Sequence, residues 1–249
     1  MYFPTTQWSL LARASLDIEG SARQALEELC RRYWSPVHQF IRGRGYGESD
    51  AQDLTQEFVV HLLEHSTFAR ADRTRGRFRS FLLGALTRFL ADEYDRRRAQ
   101  KRGEGAVHLP LDDEIVERGL PADFAGAGAE SFDREWALVV LENALRVLQQ
   151  QQEVEAASRR FAVLRQFLPG SLATPSYDEA ARQLGMNVPA FKSELHRIRQ
   201  QFRTLVRQEI AATVCAPHEI EEEMHYLQSV LMDRGSDLGS VVKPSPGNS

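Results

Sequence analysis

SYDEAARQLGMNVPAFKSELHRIRQQFRTLVRQ, residues 176–208, is the stretch that decides the fold. Ser176 followed by Glu179 is a capping box, in which the hydroxyl and the carboxylate each satisfy an amide that the first helical turn leaves open. The short helix it opens, over 177–184, runs into Gly185, which takes a left-handed backbone without a Cβ clash. Asn187 caps a second helix, with Pro189 in its first turn. There Phe191, Leu195, Ile198, Phe202 and Leu205 recur at helical spacing on one face. The other face carries Lys192, Ser193, His196, Arg197, Gln200 and Arg203. Two capped helices joined at a glycine turn read as a helix-turn-helix, whose second helix offers its N-terminal residues to base edges in a major groove. Lys192, Ser193, His196 and Arg197 are the candidate base readers, with Gln200 beside them. Arg199, Arg203 and Arg207 are better placed for phosphates. A basic hairpin that only packs has the same periodicity; the capped first helix and the glycine turn favour DNA.

Towards the N-terminus, residues 70–102 (RADRTRGRFRSFLLGALTRFLADEYDRRRAQKR) form a second basic module. On a helical wheel Phe78, Phe81, Leu82, Ala85, Leu86, Phe89 and Leu90 share one arc, which is a core face. The other arc holds Arg77, Ser80, Gly84, Thr87, Arg88, Ala91 and Arg98, where small residues between arginines let a sugar-phosphate backbone approach. The loop before it contributes Phe68, Arg70, Arg73 and Arg75, an aromatic among cations of the kind that clamps an unstacked base. A plain solvated arginine-rich surface is the competing reading of the same residues.

The chain has 249 residues and a formal net charge of −4, which looks wrong for a DNA-binding protein until it is divided. From Arg70 to Arg102 there are 11 Lys or Arg against 4 Asp or Glu, a net of +7. From Gly103 to Glu135 there are 2 against 9, a net of −7, and from Val188 to Gln208 there are 5 against 1, a net of +4. Counterion release depends on local cationic density, so the segments matter more than the sum. The acidic stretch repels phosphate, which predicts weak DNA binding by the free protein.

Leu, Phe and Ala at i, i+3, i+4 dominate and sustained alternation is missing, so the expected class is all-α: two small helical domains, an acidic linker and a C-terminal helix. The expected divisions are a lead-in over 1–20, a first domain over 21–102, a flexible acidic linker over 103–130, the helix-turn-helix domain over 131–210, and an extension with a disordered tail over 211–249. Within the first domain a helix over 21–46 is expected to break or kink near Pro36. A second runs from Ser49 or Asp50 to about His65. The QQQQ run at 149–152 is a break between helices, and 217–232 is one amphipathic helix. Cys30 and Cys215 fit no C-x-x-C spacing and read as free thiols of a reducing cytoplasm. No apolar run approaches a membrane span, and the N-terminus lacks the pattern of a secretory signal.

His61-Leu-Leu-Glu64-His65 matches the H-x-x-E-H zinc pattern, but five letters in a helix recur by chance and no third ligand is suggested downstream. No metal, cofactor or catalytic set is expected. On the same helix Ala51, Leu54, Phe58 and Leu62 form the buried face. Asp53, Glu57 and Glu64 form an acidic stripe, either a solvated surface or a dock for a basic partner.

Taken in order, these segments resemble the extracytoplasmic-function (ECF) class of bacterial RNA polymerase sigma factors. DAQDLTQEFVVHLLE (50–64) is similar to the region-two helix that docks on the clamp coiled coil of the polymerase. The helix over 75–102 is similar to the one that opens and reads the minus-ten element, and 176–208 to the region-four helix-turn-helix that reads the minus-thirty-five element. The resemblance implies a non-enzymatic promoter-specificity subunit whose partners are the polymerase core (clamp coiled coil and flap) and promoter DNA, with an anti-sigma factor as a further candidate. It implies polymerase contacts at Asp53, Gln56, Glu57 and Val60, and major-groove contacts at Lys192, Ser193, His196, Arg197, Gln200 and Arg203. Strand opening falls to Phe68, Arg73, Arg75, Arg77, Ser80, Thr87 and Arg88. Two departures stand out: LRVLQQQQEVEAASRRFAVLRQFL replaces the usual opening of region four, and Glu194 stands where a basic residue is more usual. Residues 211–249 exceed the two-domain form, and capping region four is their simplest expected role. The rival readings are a stand-alone helix-turn-helix regulator, a zinc hydrolase built on His61, Glu64 and His65, and a protein-interaction module.

Overall fold

The computed structural model describes residues 21–64, 76–102, 122–152, 155–171 and 175–232. Every regular element among them is helical. In chain order these are α1 (Ser21–Gly43), α2 (Glu48–Glu64), α3 (Phe78–Arg102), α4 (Ala122–Gln150), α5 (Glu155–Leu164), a single 3-10 turn (Arg165–Phe167), α6 (Tyr177–Gln183), α7 (Val188–Ala211) and α8 (Glu219–Met232).

The chain divides into two compact units. The first comprises 1–137 together with 211–249, and the second is 138–210.

The first unit is built on aromatic packing. Tyr33 of α1 stacks on Trp136 of α4 with ring centroids 4.7 Å apart, and Phe78 of α3 lies 5.3 Å from Tyr33 and 5.9 Å from Trp136. Phe40 meets Phe132 edge-on at 6.2 Å, and Phe58 of α2 meets Phe89 of α3 at 5.5 Å. Burying each such ring stabilises the fold by about 1.5–3 kcal/mol. The expected inner face of α2, Ala51, Leu54, Phe58 and Leu62, is buried. Helix α1 continues through Pro36 as one helix rather than breaking there, and it stops at Gly43. At that end the backbones of α1 and α4 almost touch: a Cβ on Gly128, whose φ is +93°, would lie 2.6 Å from the Phe40 carbonyl oxygen.

Helix α4 corrects the expected linker. It begins at Ala122, so 122–130 is helical, and 103–121 lies outside the described residues. Two acids just beyond it, counted in the acidic stretch from Gly103 to Glu135, are held within the unit: Ser35 donates to Glu135 at 2.6 Å, and Asp133 is buried.

The extension after α7 packs within the first unit. The amide of Phe78 donates to the Thr213 carbonyl at 2.8 Å, and the Cys215 thiol donates to the Gly76 carbonyl at 2.9 Å. Glu219 then starts α8, its carboxylate accepting from the amides of Cys215 and Ala216. Leu227 anchors the helix in the core.

The second unit closes around Ala144, Leu145, Leu148, Phe161, Val163, Leu164, Phe167, Leu168 and the inner faces of α6 and α7. Phe167 packs edge-on to Phe191 at 5.2 Å and lies 5.5 Å from Tyr177. Arg199 of α7 donates to the Phe167 carbonyl at 3.2 Å, tying the helix to the 3-10 turn.

Candidate nucleic-acid interface

The caps that position α7 form as the residues dictate. The Ser176 hydroxyl accepts from the Glu179 amide at 3.2 Å, and the Glu179 carboxylate accepts from the Ser176 amide at 3.0 Å. The Ser176 hydroxyl also donates to that carboxylate at 2.8 Å, and this bond, followed by the one from the Ser176 amide, holds the Glu179 carboxyl below its ordinary pKa. Gly185 turns the chain at φ +66°, and the Asn187 side chain accepts from the Ala190 amide at 2.9 Å.

This geometry leaves α7 two-faced. Phe191, Leu195, Ile198, Phe202 and Leu205 are buried. Lys192, Ser193, His196, Arg197, Gln200 and Arg203 are all exposed. The Lys192 ammonium sits 5.5 Å from the Tyr177 ring, a cation–π contact that places an exposed aromatic next to the first candidate reader. Glu194 is not a surface oddity. Its carboxylate, 12% exposed, accepts from Arg197 at 3.1 Å and from Arg160 of α5 at 3.3 Å. Glu194 thus restrains the Arg197 guanidinium from within the same helix, and Tyr177, beside Lys192, is a residue that the spacing of the apolar positions does not single out.

On α3, Ser80 is exposed, Gly84 has open space where a Cβ would stand, and Ala91 is half-buried. Tyr94 continues this surface one turn on and is 59% exposed, an aromatic that the arc of arginines and small residues does not include. Thr87 is a correction: it is 1% exposed, and its hydroxyl donates to the Leu83 carbonyl at 2.9 Å. A threonine that satisfies its hydroxyl on its own helix can be buried like an apolar residue, so Thr87 leaves the solvent-facing set. Arg88 is half-buried, and Phe68, Arg73 and Arg75 lie outside the described residues.

On α2, Asp53, Gln56, Glu57 and Val60 are exposed at successive turns, with Val60 an uncovered apolar residue at 48%. His61 packs against the Phe89 ring at 5.4 Å, while the Glu64 side chain and His65 lie outside the described residues. No group of three or more His, Cys, Asp or Glu among the described residues is placed to hold a metal ion.

The ECF sigma factor family model matches residues 19–208. The chain belongs to the ECF sigma factor family. No curated protein and no solved structure matches it. Members of this family are regulatory, non-catalytic proteins that bind RNA polymerase core and promoter DNA to initiate transcription. Among the described residues of this sigma factor no helix is long and apolar enough to cross a membrane.

The matched residues end before α8, yet α8 reaches back to the start of α3. Arg77 donates to Glu222 at 2.6 Å and to Glu223 at 3.0 Å, and its Nε lies 3.9 Å from Glu219. Arg79 donates to Glu223 at 2.7 Å and to Asp133 of α4 at 2.5 Å. The Tyr226 ring covers the Arg79 guanidinium at 4.4 Å, and its hydroxyl donates to Asp133. Burial acts against the Arg79 charge, but the carboxylates of Glu223 and Asp133 outweigh it, and its pKa is raised. Burial, then the Asp133 hydrogen bond, pushes the Tyr226 hydroxyl up to about 12. Arg77 and Arg79, counted in the basic segment, are therefore already paired with carboxylates within the protein.

Proposed function

We propose that this sigma factor reads the minus-thirty-five promoter element with α7 and opens the minus-ten element with α3 while α2 holds the polymerase core. Lys192, Ser193, His196, Arg197 and Gln200 reach base edges in the major groove, and Arg199, Arg203 and Arg207 take phosphates. The observation that carries this reading is the exposed polar face of α7 standing over a doubly capped turn. Such a face binds a groove without rearrangement of the second unit.

Opening requires no chemistry. It requires binding that favours unstacked bases over paired ones, worth a few kcal/mol per extruded base. Ser80, Gly84 and Ala91 give the strand a close approach on α3, Tyr94 offers a stacking surface, and the segment with Phe68, Arg73 and Arg75 captures the base. Asp53, Gln56, Glu57 and Val60 supply an acidic rim with one apolar centre for the clamp coiled coil of the core.

The test is DNase footprinting of the reconstituted holoenzyme on a promoter it transcribes. Lys192→Ala with Arg197→Ala removes upstream protection and leaves co-purification with core intact. Loss of core association in that variant overturns the assignment of these roles to separate helices.

A further inference from the structure

The contact between α8 and α3 has two layers of different character. Glu223 is 1% exposed and answers the buried Arg79, a pairing the fold needs. Glu222 is different: its side chain is 61% exposed, yet Arg77 holds it at 2.6 Å. An ion pair this open adds little to folding. What it does is occupy one edge of the Arg77 fork, with Glu223 on the other and Glu219 near Nε. Three carboxylates from successive turns of one helix thus surround a guanidinium that stands at the start of α3. Arginine binds phosphate through the same forked geometry it uses for carboxylate.

We propose that Arg77 is a phosphate site for the sugar-phosphate backbone of a single strand, and that α8 is its built-in anionic competitor. The inference rests on the reading of α3 as the strand-opening helix and adds a regulation to it. Glu222 must leave Arg77 for a phosphate to enter, whereas Glu223 stays with Arg79 and keeps the unit folded. The free protein therefore binds single strands weakly, and anything that draws Glu222 away raises that affinity.

The experiment is a double-mutant cycle on the full chain, read by fluorescence anisotropy with a labelled single-stranded DNA oligonucleotide at fixed low salt. Glu222→Gln is expected to tighten binding roughly threefold or more, the scale of one exposed ion pair. In the Arg77→Ala background the same substitution is expected to change nothing. Glu130→Gln on α4, another exposed acid of the first unit, serves as the charge-matched control and is expected to leave affinity unaltered. The proposal is overturned if Glu222→Gln has no effect, or if the gain persists without Arg77 or is reproduced by Glu130→Gln. Transcription by the wild-type chain with purified core is measured in parallel. Discrete initiation together with a flat cycle removes the competitor alone, whereas absence of initiation removes the strand-opening reading itself.

Discussion

Arg79 and Glu223, 144 positions apart in the chain, meet at 2.7 Å inside the first unit. With Asp133 on the other side of the guanidinium, they join α3, α4 and α8 through one buried charge. Removing one partner of such a pair leaves the other uncompensated, which costs about 3–5 kcal/mol. Glu223→Ala should lower the stability of the first unit by about 3 kcal/mol, since Asp133 still partners Arg79. Thermal and urea unfolding followed by circular dichroism check this; a loss below about 0.5 kcal/mol, the range of an ordinary surface substitution, would mean that α8 is not fastened to the unit.

Tyr226 predicts how the same junction responds to alkali. Its hydroxyl titrates at about 12 when folded, above the ordinary value of 10.0, because burial and the Asp133 carboxylate both disfavour the phenolate. The folded state therefore keeps a proton that the unfolded chain releases. The resulting stability is complete below pH 10 and disappears as the pH rises from 10 towards 12. Tyr226→Phe should be less stable than wild type at neutral pH, and the gap should narrow across that window. Parallel stability curves for the two proteins would contradict the hydrogen bond.

Gly84 separates folding from function. Glycine within a helix costs about 0.5–1 kcal/mol relative to alanine, and open space surrounds the position. Gly84→Ala should therefore raise stability by that amount while reducing strand opening, measured as permanganate reactivity of unpaired thymines on a transcribed promoter. Unchanged opening would show that no backbone approaches this part of α3.

Glu194 gives a prediction about specificity. Its carboxylate restrains Arg197 through a contact at 3.1 Å. Glu194→Gln should loosen that restraint and relax base preference at the position Arg197 reads, with discrimination falling by about 1 kcal/mol, the lower end of a bidentate base contact. Competition between single-base promoter variants measures it, and an unaltered preference profile would place Arg197 on phosphate instead.

Local patterns were legible in the sequence because local physics makes them. The inner face of α2 follows from the spacing of Ala51, Leu54, Phe58 and Leu62. The entry to α7 follows from Ser176, Glu179, Gly185 and Asn187, whose capping needs no distant partner. Thr87 misled because a wheel scores hydroxyl as polar and cannot see that the Leu83 carbonyl accepts its hydrogen bond. The start of α4 was hidden by Gly126 and Gly128, which read as linker although Gly128 is there to let Phe40 come close. The junction at Arg79 was illegible for a deeper reason: Asp133 and Glu223 lie 54 and 144 positions away, and no periodicity links such residues. Counting Asp133 and Glu135 as phosphate-repelling charge, and Arg77 and Arg79 as free cations, follows directly from that blindness.

Run-off transcription with purified core polymerase on fragmented genomic DNA of the source organism tests the central claim most directly. The wild-type chain should direct discrete start sites. Lys192→Ala with Arg197→Ala should abolish them while still binding core, and Asp53→Arg with Glu57→Arg should abolish them by failing to bind it. Initiation no more selective than that of core alone, from a folded wild-type chain, would contradict the account.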